Sequence, residues 1–376
     1  MVTSLLALAL LATAGLWASL LATLLYFRPG ARDESGEILP MTLIKPVRGL
    51  DDSLAGNLDS IAVSDPEGRL QVIVAMETDD DPAYPVARKF AESYPGRDIS
   101  VLLTGPSGAR MGKIHNMIEA FPRARHPFVV FSDADVTTTP DLLRETSRAF
   151  REGWDAAFAL PIHQAVGGLG GWQYQVAFNH YFALGAALVM RLAGLRHCAG
   201  AWMAYTRQVL EKAGGLERHG AAIADDFALS RGVARAGGRL KLIRAVAPLR
   251  ESDPDPVDAF RHLCKWAAII RCAFPAAFFL VPLAAPGVVA AAAVAFAGGS
   301  SASWAVLGAA LVSRPLIAFI QDRAVFGAPM AWWGYPLMAV CDWGMMLYWL
   351  AGLRSTILWR GKRYRLISGG NIEVLK

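Results

Sequence analysis

The feature that most restricts the fold of this chain is its uncharged N-terminal stretch, residues 4 to 27. A run of this length without a charged side chain can cross a bilayer as a helix. No Lys or Arg precedes it, whereas Arg28 and Arg32 follow it, so the positive-inside rule places residue 28 onward in the cytoplasm. A cleaved signal peptide would have a basic start and a shorter apolar core. We therefore predict an uncleaved transmembrane anchor over residues 1–28.

A second apolar region covers residues 274–353 and contains segments at 274–297, 302–321 and 331–352. The basic tail that follows, residues 354–376, should be cytoplasmic because it is rich in cations. Three full crossings would instead place the tail outside. Either one segment does not cross or the rule fails here, and the charges of Arg314 and Asp342 make their segments doubtful as spans.

The composition also indicates a membrane protein. Of the 376 residues, 54% are hydrophobic and only 18% are charged, which is too apolar for an ordinary soluble enzyme. The net charge of +5 is modest, and the cations cluster beside the apolar segments. This favours an anionic membrane surface over nucleic acid as the partner. We expect a multi-pass integral membrane protein with no nucleic-acid partner.

The middle of the chain, residues 29–256, has a different pattern, in which apolar runs alternate with helical stretches. Strands are predicted at 42–44, 71–76, 99–103 and 128–131, with helices between them. This alternation predicts an α/β domain with a parallel, doubly wound sheet. Residues 176–195 are mostly apolar but include Asn179, His180 and Arg191. A membrane-dipping helix, an acceptor-binding surface and a core helix all remain open for them.

Two acidic turns follow predicted strands of this sheet. Phe128–Phe131 runs through Ser132 into Asp133 and Asp135, and a second strand runs into Glu77 through Asp81. In open α/β sheets the ligand crevice lies beyond the carboxyl ends of the strands. A D-x-D pair there can hold a divalent cation and leave positions open for phosphate oxygens. The alternative is an acidic turn that only ends a strand, but two such turns at one edge favour a nucleotide site.

Two later stretches also carry candidate functional residues. Asp225 and Asp226 stand at the start of a predicted helix, where one carboxylate is enough for a cap and the second needs another reason. The stretch 257–273 predicts a basic amphipathic helix lying at the membrane interface. It contains Lys265 and Trp266, for which an interfacial location does not exclude a catalytic role.

In their order and spacing, these motifs resemble the GT-A glycosyltransferases of the family 2-like group. The closer resemblance is to the ceramide glucosyltransferase family, family 21, which includes bacterial enzymes that glycosylate hopanoid-type lipids. It covers roughly residues 1 to 275. The motifs that carry it are Lys45-Pro46-Val47-Arg48-Gly49-Leu50-Asp51, Asp80-Asp81-Pro82-Ala83, Lys113 with Asn116, Asp133-Ala134-Asp135, Cys198-Ala199-Gly200, Ala213-Gly214-Gly215-Leu216 and Ala224-Asp225-Asp226-Phe227.

The resemblance implies a GT-A fold and an inverting transfer of a sugar, usually glucose from UDP-glucose, to a lipid hydroxyl, usually that of ceramide. Asp226 would be the general base, with Asp225 the next candidate. Asp133 and Asp135 would hold Mg²⁺ or Mn²⁺ on the donor diphosphate. The donor-binding residues would be Lys45, Glu77 and Asp79 around the uridine, Asp133 at the diphosphate, and Lys113. Lys265 and Trp266, which also bind the donor, would close over the diphosphate and the acceptor. The catalytic domain would be cytoplasmic, at a bacterial inner membrane.

The chain departs from the family pattern at two places. Thr78 stands where an aspartate is usual, so Glu77 or Asp79 must serve instead. The final motif reads His262-Leu263-Cys264-Lys265-Trp266, with Lys in place of the family's Arg. Lysine keeps the charge but loses the bidentate fork that suits phosphate.

Other activities remain possible at this point. The acceptor could be a hopanoid, diacylglycerol or polyprenyl phosphate, or the enzyme could be a processive polysaccharide synthase. A non-enzymatic membrane protein is disfavoured because the polar motifs lie in the middle domain rather than in the apolar segments.

Overall fold

The computed structural model describes residues 1–28, 36–108, 110–164, 167–194, 199–219, 224–250, 254–359, 362–367 and 371–375. Arg32 and Cys198, which were cited above, lie outside these ranges.

A seven-stranded sheet in the order β3-β2-β1-β4-β6-β5-β7 forms the centre of the molecule. β6 is antiparallel to both of its neighbours, and the other strands share one direction. The strands are β1 Met41–Pro46, β2 Leu70–Met76, β3 Asp98–Leu103, β4 Phe128–Ser132, β5 Ala156–His163, β6 Trp202–Thr206 and β7 Leu240–Leu249. The predicted α/β class is confirmed, but the sheet is not wholly parallel, because β6 reverses direction.

Helices cover both faces of this sheet, which explains why β1, β2 and β5 are buried along their whole length. One face packs against α2 Leu54–Ser64, α3 Tyr84–Ser93 and α5 Pro140–Arg151. The other packs against α4 Gly112–Ala120, α8 Arg207–Lys212 and α9 Asp225–Arg235. Because six strands run in one direction, the ends of β1, β2, β3, β4, β5 and β7 lie at a single carboxyl edge.

The first helix, α1 Val2–Tyr26, is long and apolar enough to cross a membrane. A second helix of this kind, Ser301–Phe326, consists of α13 Ser301–Gln321 and a π-helical end. The two run parallel to each other. Leu5, Leu8 and Ala9 contact Val306, Leu307 and Ala310, while Leu20 and Leu24 cluster with Ile317 and Ile320. Both helices therefore end at the same side, next to the α/β domain.

The segment whose nature the sequence left open lies between these helices and the sheet. It consists of α6 Leu169–Tyr174, a π-helical segment over Gln175–Ala183, and α7 Leu184–Ala193. The Asn179 side chain bonds the backbone N–H and C=O of His163 at 3.0 Å each. The hydroxyl of Thr23 in α1 donates to the Leu184 carbonyl at 3.2 Å. Polar side chains thus join this segment to the domain through Asn179 and to α1 through Thr23.

The remaining C-terminal helices are α10 Pro256–Ala273, α11 Pro275–Leu280, α12 Pro286–Phe296, α14 Gly334–Leu337 and α15 Cys341–Ala351. α10 and the helical stretch after it are bent by 119°. α12 runs antiparallel to α13. The start of α12 at Gly287 lies at the level of Arg314, since both contact Asp342, and Ala290 further along α12 clusters with Ala310, which is earlier in α13. The predicted segment 331–352 contains only short helices, of which α15 has 11 residues.

The two charges that made the apolar segments doubtful form a buried ion pair. Arg314 Nη2 lies 2.6 Å from Asp342 Oδ1, and both side chains are 3% exposed or less. Asp342 also accepts hydrogen bonds from the Tyr181 hydroxyl and, at 2.8 Å, from the Gly287 N–H. This cluster joins α12, α13, α15 and the π-helical segment.

The basic tail is also folded. Strands β8 Thr356–Trp359, β9 Lys362–Ile367 and β10 Asn371–Leu375 form an antiparallel sheet. Tyr364 and Leu366 pack on Ala268 and Ile269 of α10. The tail thus lies against the same helix that follows the α/β domain.

Candidate active site

The D-x-D turn lies at the carboxyl edge of the sheet, where β4 ends. Lys45, near the end of β1, is fully buried beneath this turn and contacts its backbone. Its ammonium donates to the Asp133 and Val136 carbonyls at 2.7 and 3.0 Å and to the Ser132 hydroxyl at 3.3 Å. Burial lowers the pKa of Lys45 to about 8, although Asp135 and Asp133 favour its charged form. Lys45 thus fixes the backbone that presents the two carboxylates.

Lys113, in the first turn of α4, joins the two acidic motifs. Its ammonium lies 2.7 Å from Asp133 Oδ1 and 3.1 Å from Asp225 Oδ2, and it donates to the Gly200 carbonyl at 3.3 Å. Burial opposes its charge, but Asp133 and Asp225 outweigh burial and hold the pKa of Lys113 well above its ordinary value. The side chain therefore stays cationic between the two carboxylates.

Asp133 is itself harder to ionise than a free aspartate. Burial raises its pKa to about 6, Asp135 and Asp225 act in the same direction, and Lys113 opposes them. A site that concentrates carboxylates in this way favours an added cation, because each negative charge makes the next one costly.

Asp225 and Asp226 occupy the first turn of α9, beside this cluster. Asp225 pairs with Lys113, and one oxygen of Asp226 accepts the Phe227 N–H at 2.7 Å. Burial raises the pKa of Asp226 to about 7, with the Asp225 charge adding to the shift and Lys113 opposing it. A side chain at Gly200 would meet Asp226 Oδ2, since a Cβ there would lie 3.1 Å away. Capping thus explains part of the geometry of Asp226 and none of that of Asp225.

The donor set fits a hard divalent cation that also binds a nonprotein ligand. Within the described part of the chain, Asp135 Oδ1 is a buried oxygen without a hydrogen-bond donor. The described residues contain no group of three or more His, Cys, Asp or Glu side chains placed to hold a metal. Asp133 and Asp135 would therefore supply two carboxylates and leave the other positions to phosphate oxygens and water, as Mg²⁺ sites commonly do.

The acidic turn after β2 lies next to the start of α4. Glu77 pairs with Arg48 at 3.3 Å and accepts the Ser107 N–H at 3.2 Å. Asp79 is exposed and accepts a long hydrogen bond, 3.4 Å, from the Thr78 hydroxyl. Asp81, to which the sequence assigned no role of its own, bonds the Gly49 N–H at 3.0 Å and the Ala83 N–H at 2.9 Å. Asp81 thus stabilises the turn through these backbone N–H groups, and the role predicted for Glu77 and Asp79 does not conflict with it.

Lys265 and Trp266 lie on α10, which packs against the start of α9 through Ile269 and Ala268. The indole N–H of Trp266 donates to His262 Nε2 at 2.9 Å, and its ring meets Phe178 at 5.6 Å. That bond requires His262 to carry its proton on Nδ1. From the sequence, His262 was identified only as a departure from the family motif. In the structure, His262 orients the Trp266 side chain. Closure of Lys265 and Trp266 over a diphosphate stays a prediction.

The mixed sheet of this order, with carboxylates at its carboxyl edge, has the fold of the GT-A glycosyltransferases. The sequence model of glycosyl transferase family 21 matches residues 4–372, and the chain belongs to this family. The predicted resemblance and enzyme class are thereby confirmed.

Individual relatives and one solved structure agree with this assignment. The chain is 22% identical over 347 residues to ceramide glucosyltransferase 1 of Caenorhabditis elegans, covering 89% of this chain and 73% of that protein. It is 22% identical over 271 residues to ceramide glucosyltransferase 3 of the same organism, covering 66% and 54%. The mannosyltransferase PcManGT from Pyrobaculum calidifontis, in complex with GDP-Man and Mn²⁺, shares the fold, with a TM-score of 0.50 and 19% identity. That match covers 93% of this chain and 97% of PcManGT.

Proposed function

We propose that this protein is a membrane-bound inverting glucosyltransferase that moves glucose from UDP-glucose to the hydroxyl of ceramide. The observation that carries the proposal is the gathering of Asp133, Asp225 and Asp226 around the Lys113 ammonium. This cluster lies at the carboxyl edge of the sheet, where α10 packs against the start of α9. The ceramide glucosyltransferases similar to this chain support the choice of sugar and lipid.

In the proposed reaction, Asp226 takes the proton of the acceptor hydroxyl as the oxygen attacks the anomeric carbon. Attack from the face opposite the diphosphate inverts the configuration. The raised pKa of Asp226 suits this role, because a base works best when its pKa is near the working pH. Lys113 neutralises phosphate charge, and Lys45 keeps the D-x-D turn in position. Mg²⁺ or Mn²⁺ held by Asp133 and Asp135 would stabilise the leaving diphosphate.

The other residues have proposed roles in donor binding. Glu77 and Asp79 would bind the uridine from the turn after β2, which leaves Asp81 to shape that turn. Lys265 and Trp266 would close over the diphosphate and the acceptor from α10. Since the Trp266 indole is oriented by His262, this pair would move as one unit.

Product analysis tests the proposal directly. Membranes containing the protein are offered labelled UDP-glucose, UDP-galactose and GDP-mannose with defined lipids, and the labelled lipid is identified by mass spectrometry. We expect glucosylceramide. A glycosylated hopanoid, diacylglycerol or polyprenyl phosphate would replace ceramide as the acceptor, and a long polymer would indicate a processive synthase.

We also propose a domain arrangement for this enzyme. Residues 1–28 anchor the chain, 29–256 form the cytoplasmic catalytic domain and 257–273 lie at the interface. Residues 274–353 are membrane segments, and 354–376 form the tail.

Since α1 and α13 end on the domain side, α11 and α12 would carry the chain outward as one broken span. The segment 331–352 would enter and return, because Asp342 meets Arg314 about 18 Å along α13 from the end of its helical stretch at Phe326. The tail then shares the cytoplasm with the domain, in a bacterial inner membrane.

Accessibility to a thiol reagent tests this arrangement. In intact cells, Lys89→Cys, on the exposed face of α3, should react with a membrane-impermeant maleimide only after the membrane is opened. A reporter fused after Lys376 should behave in the same way. The background for labelling carries Cys198→Ser, and the three cysteines within the described residues, Cys264, Cys272 and Cys341, are buried. Labelling of Lys89→Cys from outside would contradict the orientation.

Metal dependence is expected from the D-x-D carboxylates. Asp133→Ala or Asp135→Ala should reduce turnover by about 10²-fold or more, since the leaving diphosphate loses its counter-charge. Chelation of the wild type should have the same effect, and Mn²⁺ should restore it. Asp59→Asn, an exposed carboxylate on α2, serves as the control and should keep full activity. Full wild-type activity in excess EDTA would remove the metal role.

A further inference from the structure

A groove with a volume of about 450 Å³ lies between the last turns of α1 and α7 and the amino end of β7. Its lining includes Tyr26, Trp154, Met190, Arg239, Lys241 and Leu242. β7 is the edge strand of the sheet, and the Tyr26 hydroxyl donates to the Leu242 carbonyl on that strand. The groove is therefore formed where the N-terminal helix is fastened to the catalytic domain.

One wall of the groove is cationic and aromatic. The Arg239 guanidinium and the Lys241 ammonium lie over the Trp154 ring, 5.3 and 4.9 Å from its centroid. The guanidinium of Arg239 also bonds the Gly153 carbonyl, and Lys241 lies 3.7 Å from Glu152. These contacts hold the cations in place. An ammonium and a guanidinium have three and five N–H donors, so both can bind an additional anion.

With α1 crossing the membrane as proposed above, the groove lies at the depth of the headgroups. On the last two turns of α1, Leu21 and Leu25 are 58% and 49% exposed, and on α7 Val189 and Leu192 are 53% and 79% exposed. Such apolar side chains suit the hydrocarbon of a bilayer. Tyr26, Trp154 and the cations follow immediately, and aromatic and basic side chains are typical of the headgroup layer.

We propose that this groove binds the headgroup of an anionic phospholipid. The phosphate would lie between Arg239 and Lys241, and the glycerol would pack on Trp154 and Tyr26. The site is separate from the catalytic centre, since the ten residues of β7 place about 30 Å between its two ends. A lipid bound there fixes the edge of the sheet against the cytoplasmic leaflet, because a cation near that surface is attracted to anionic lipid.

Lipid selectivity of the full-length protein tests the site. The protein is placed in phosphatidylcholine bilayers with spin-labelled phosphatidylglycerol or spin-labelled phosphatidylcholine, and the immobilised fraction of each label is measured by electron paramagnetic resonance. The wild type should retain phosphatidylglycerol preferentially. The Arg239→Gln/Lys241→Gln variant should lower the relative association constant by about tenfold. The matched control, Arg88→Gln/Lys89→Gln, removes two exposed cations from α3 and should leave the preference unchanged.

A measurement on the wild type alone covers the case in which the double variant does not fold. High ionic strength should remove the preference for phosphatidylglycerol, since exposed charges are screened. Equal retention of the two lipids by the wild type, or an unchanged preference in a folded double variant, would overturn the proposal. So would displacement of the labelled lipid by millimolar inorganic phosphate, because the groove would then recognise free phosphate rather than a headgroup.

Discussion

Asp226→Asn should bind UDP-glucose normally and lose transfer by about 10²–10⁴-fold, the usual contribution of a general base. Asparagine has nearly the same shape and can still accept the Phe227 N–H, so the start of α9 is preserved. It cannot take the acceptor proton. Donor binding is spared because, in the proposed reaction, Asp226 touches the acceptor hydroxyl and not the diphosphate. Binding is measured by calorimetry with UDP and transfer by product formation.

The pH dependence of the two proteins separates a base from a structural residue. Burial and the Asp225 charge raise the pKa of Asp226 to about 7, and only the ionised form can accept a proton. The wild-type kcat/KM should therefore rise with pH through about 7, and a bound divalent cation would move this limb to lower pH. The limb should be missing from the residual activity of Asp226→Asn.

Asp225→Asn is the matched control because it changes the neighbouring carboxylate in the same helix turn. Asp225 pairs with Lys113 at 3.1 Å, so its loss should act on the cation and hence on donor KM. We expect it to reduce kcat much less than Asp226→Asn. Near-normal transfer by Asp226→Asn would move the base elsewhere, with Asp225 and Asp135 the next candidates.

The catalytic edge could be predicted from the sequence because its residues follow apolar strands directly. β4 runs straight into Asp133 and Asp135, and parallel strands bring such turns to one edge. The two ion pairs of Lys113, with Asp133 and with Asp225, could not be predicted, since they depend on how α4 and α9 pack on the sheet. The bond from the Lys45 ammonium to the D-x-D turn could not be predicted either, because it is a long-range contact that a local pattern does not contain, and a place for Lys45 near the uridine stays a prediction.

Other parts of the fold gave weaker sequence signals for identifiable reasons. β6 is a five-residue strand, apolar on both faces, within an aromatic stretch, so neither periodicity nor length marked it or its direction. The π-helical segment Gln175–Ala183 buries Asn179 against His163, 16 residues away, and His180 against Gln321, 141 residues away. The charge of Arg314 argued against its segment as a span, but Ser301–Phe326 is long and apolar enough to cross a membrane, and Arg314 pairs with Asp342.

Breaking that ion pair is the second change expected to have a large effect. Arg314→Met or Asp342→Asn alone should lower the free energy of unfolding by about 3–5 kcal/mol. Arg314→Met leaves the Asp342 carboxylate buried without its cation, and Asp342→Asn leaves the Arg314 guanidinium buried without its anion. Asp342→Asn keeps an acceptor for the Gly287 N–H, so the stability lost in this variant reports mainly on the missing charge. Unfolding in sodium dodecyl sulfate, followed by circular dichroism, measures the difference.

The double variant Arg314→Met/Asp342→Asn decides whether the pair or the individual side chains stabilise the helices. If the pair is the cause, the double variant should lose less than the sum of the single losses, since neither charge is then left alone. Arg323→Met is the control, because this exposed cation in the π-helical end of the same helix should change stability by only about 0.5 kcal/mol. Additive losses would mean that the two charges act independently. The ion pair would then not be what holds α15 and the start of α12 against α13, and the inward turn of 331–352 would need another cause.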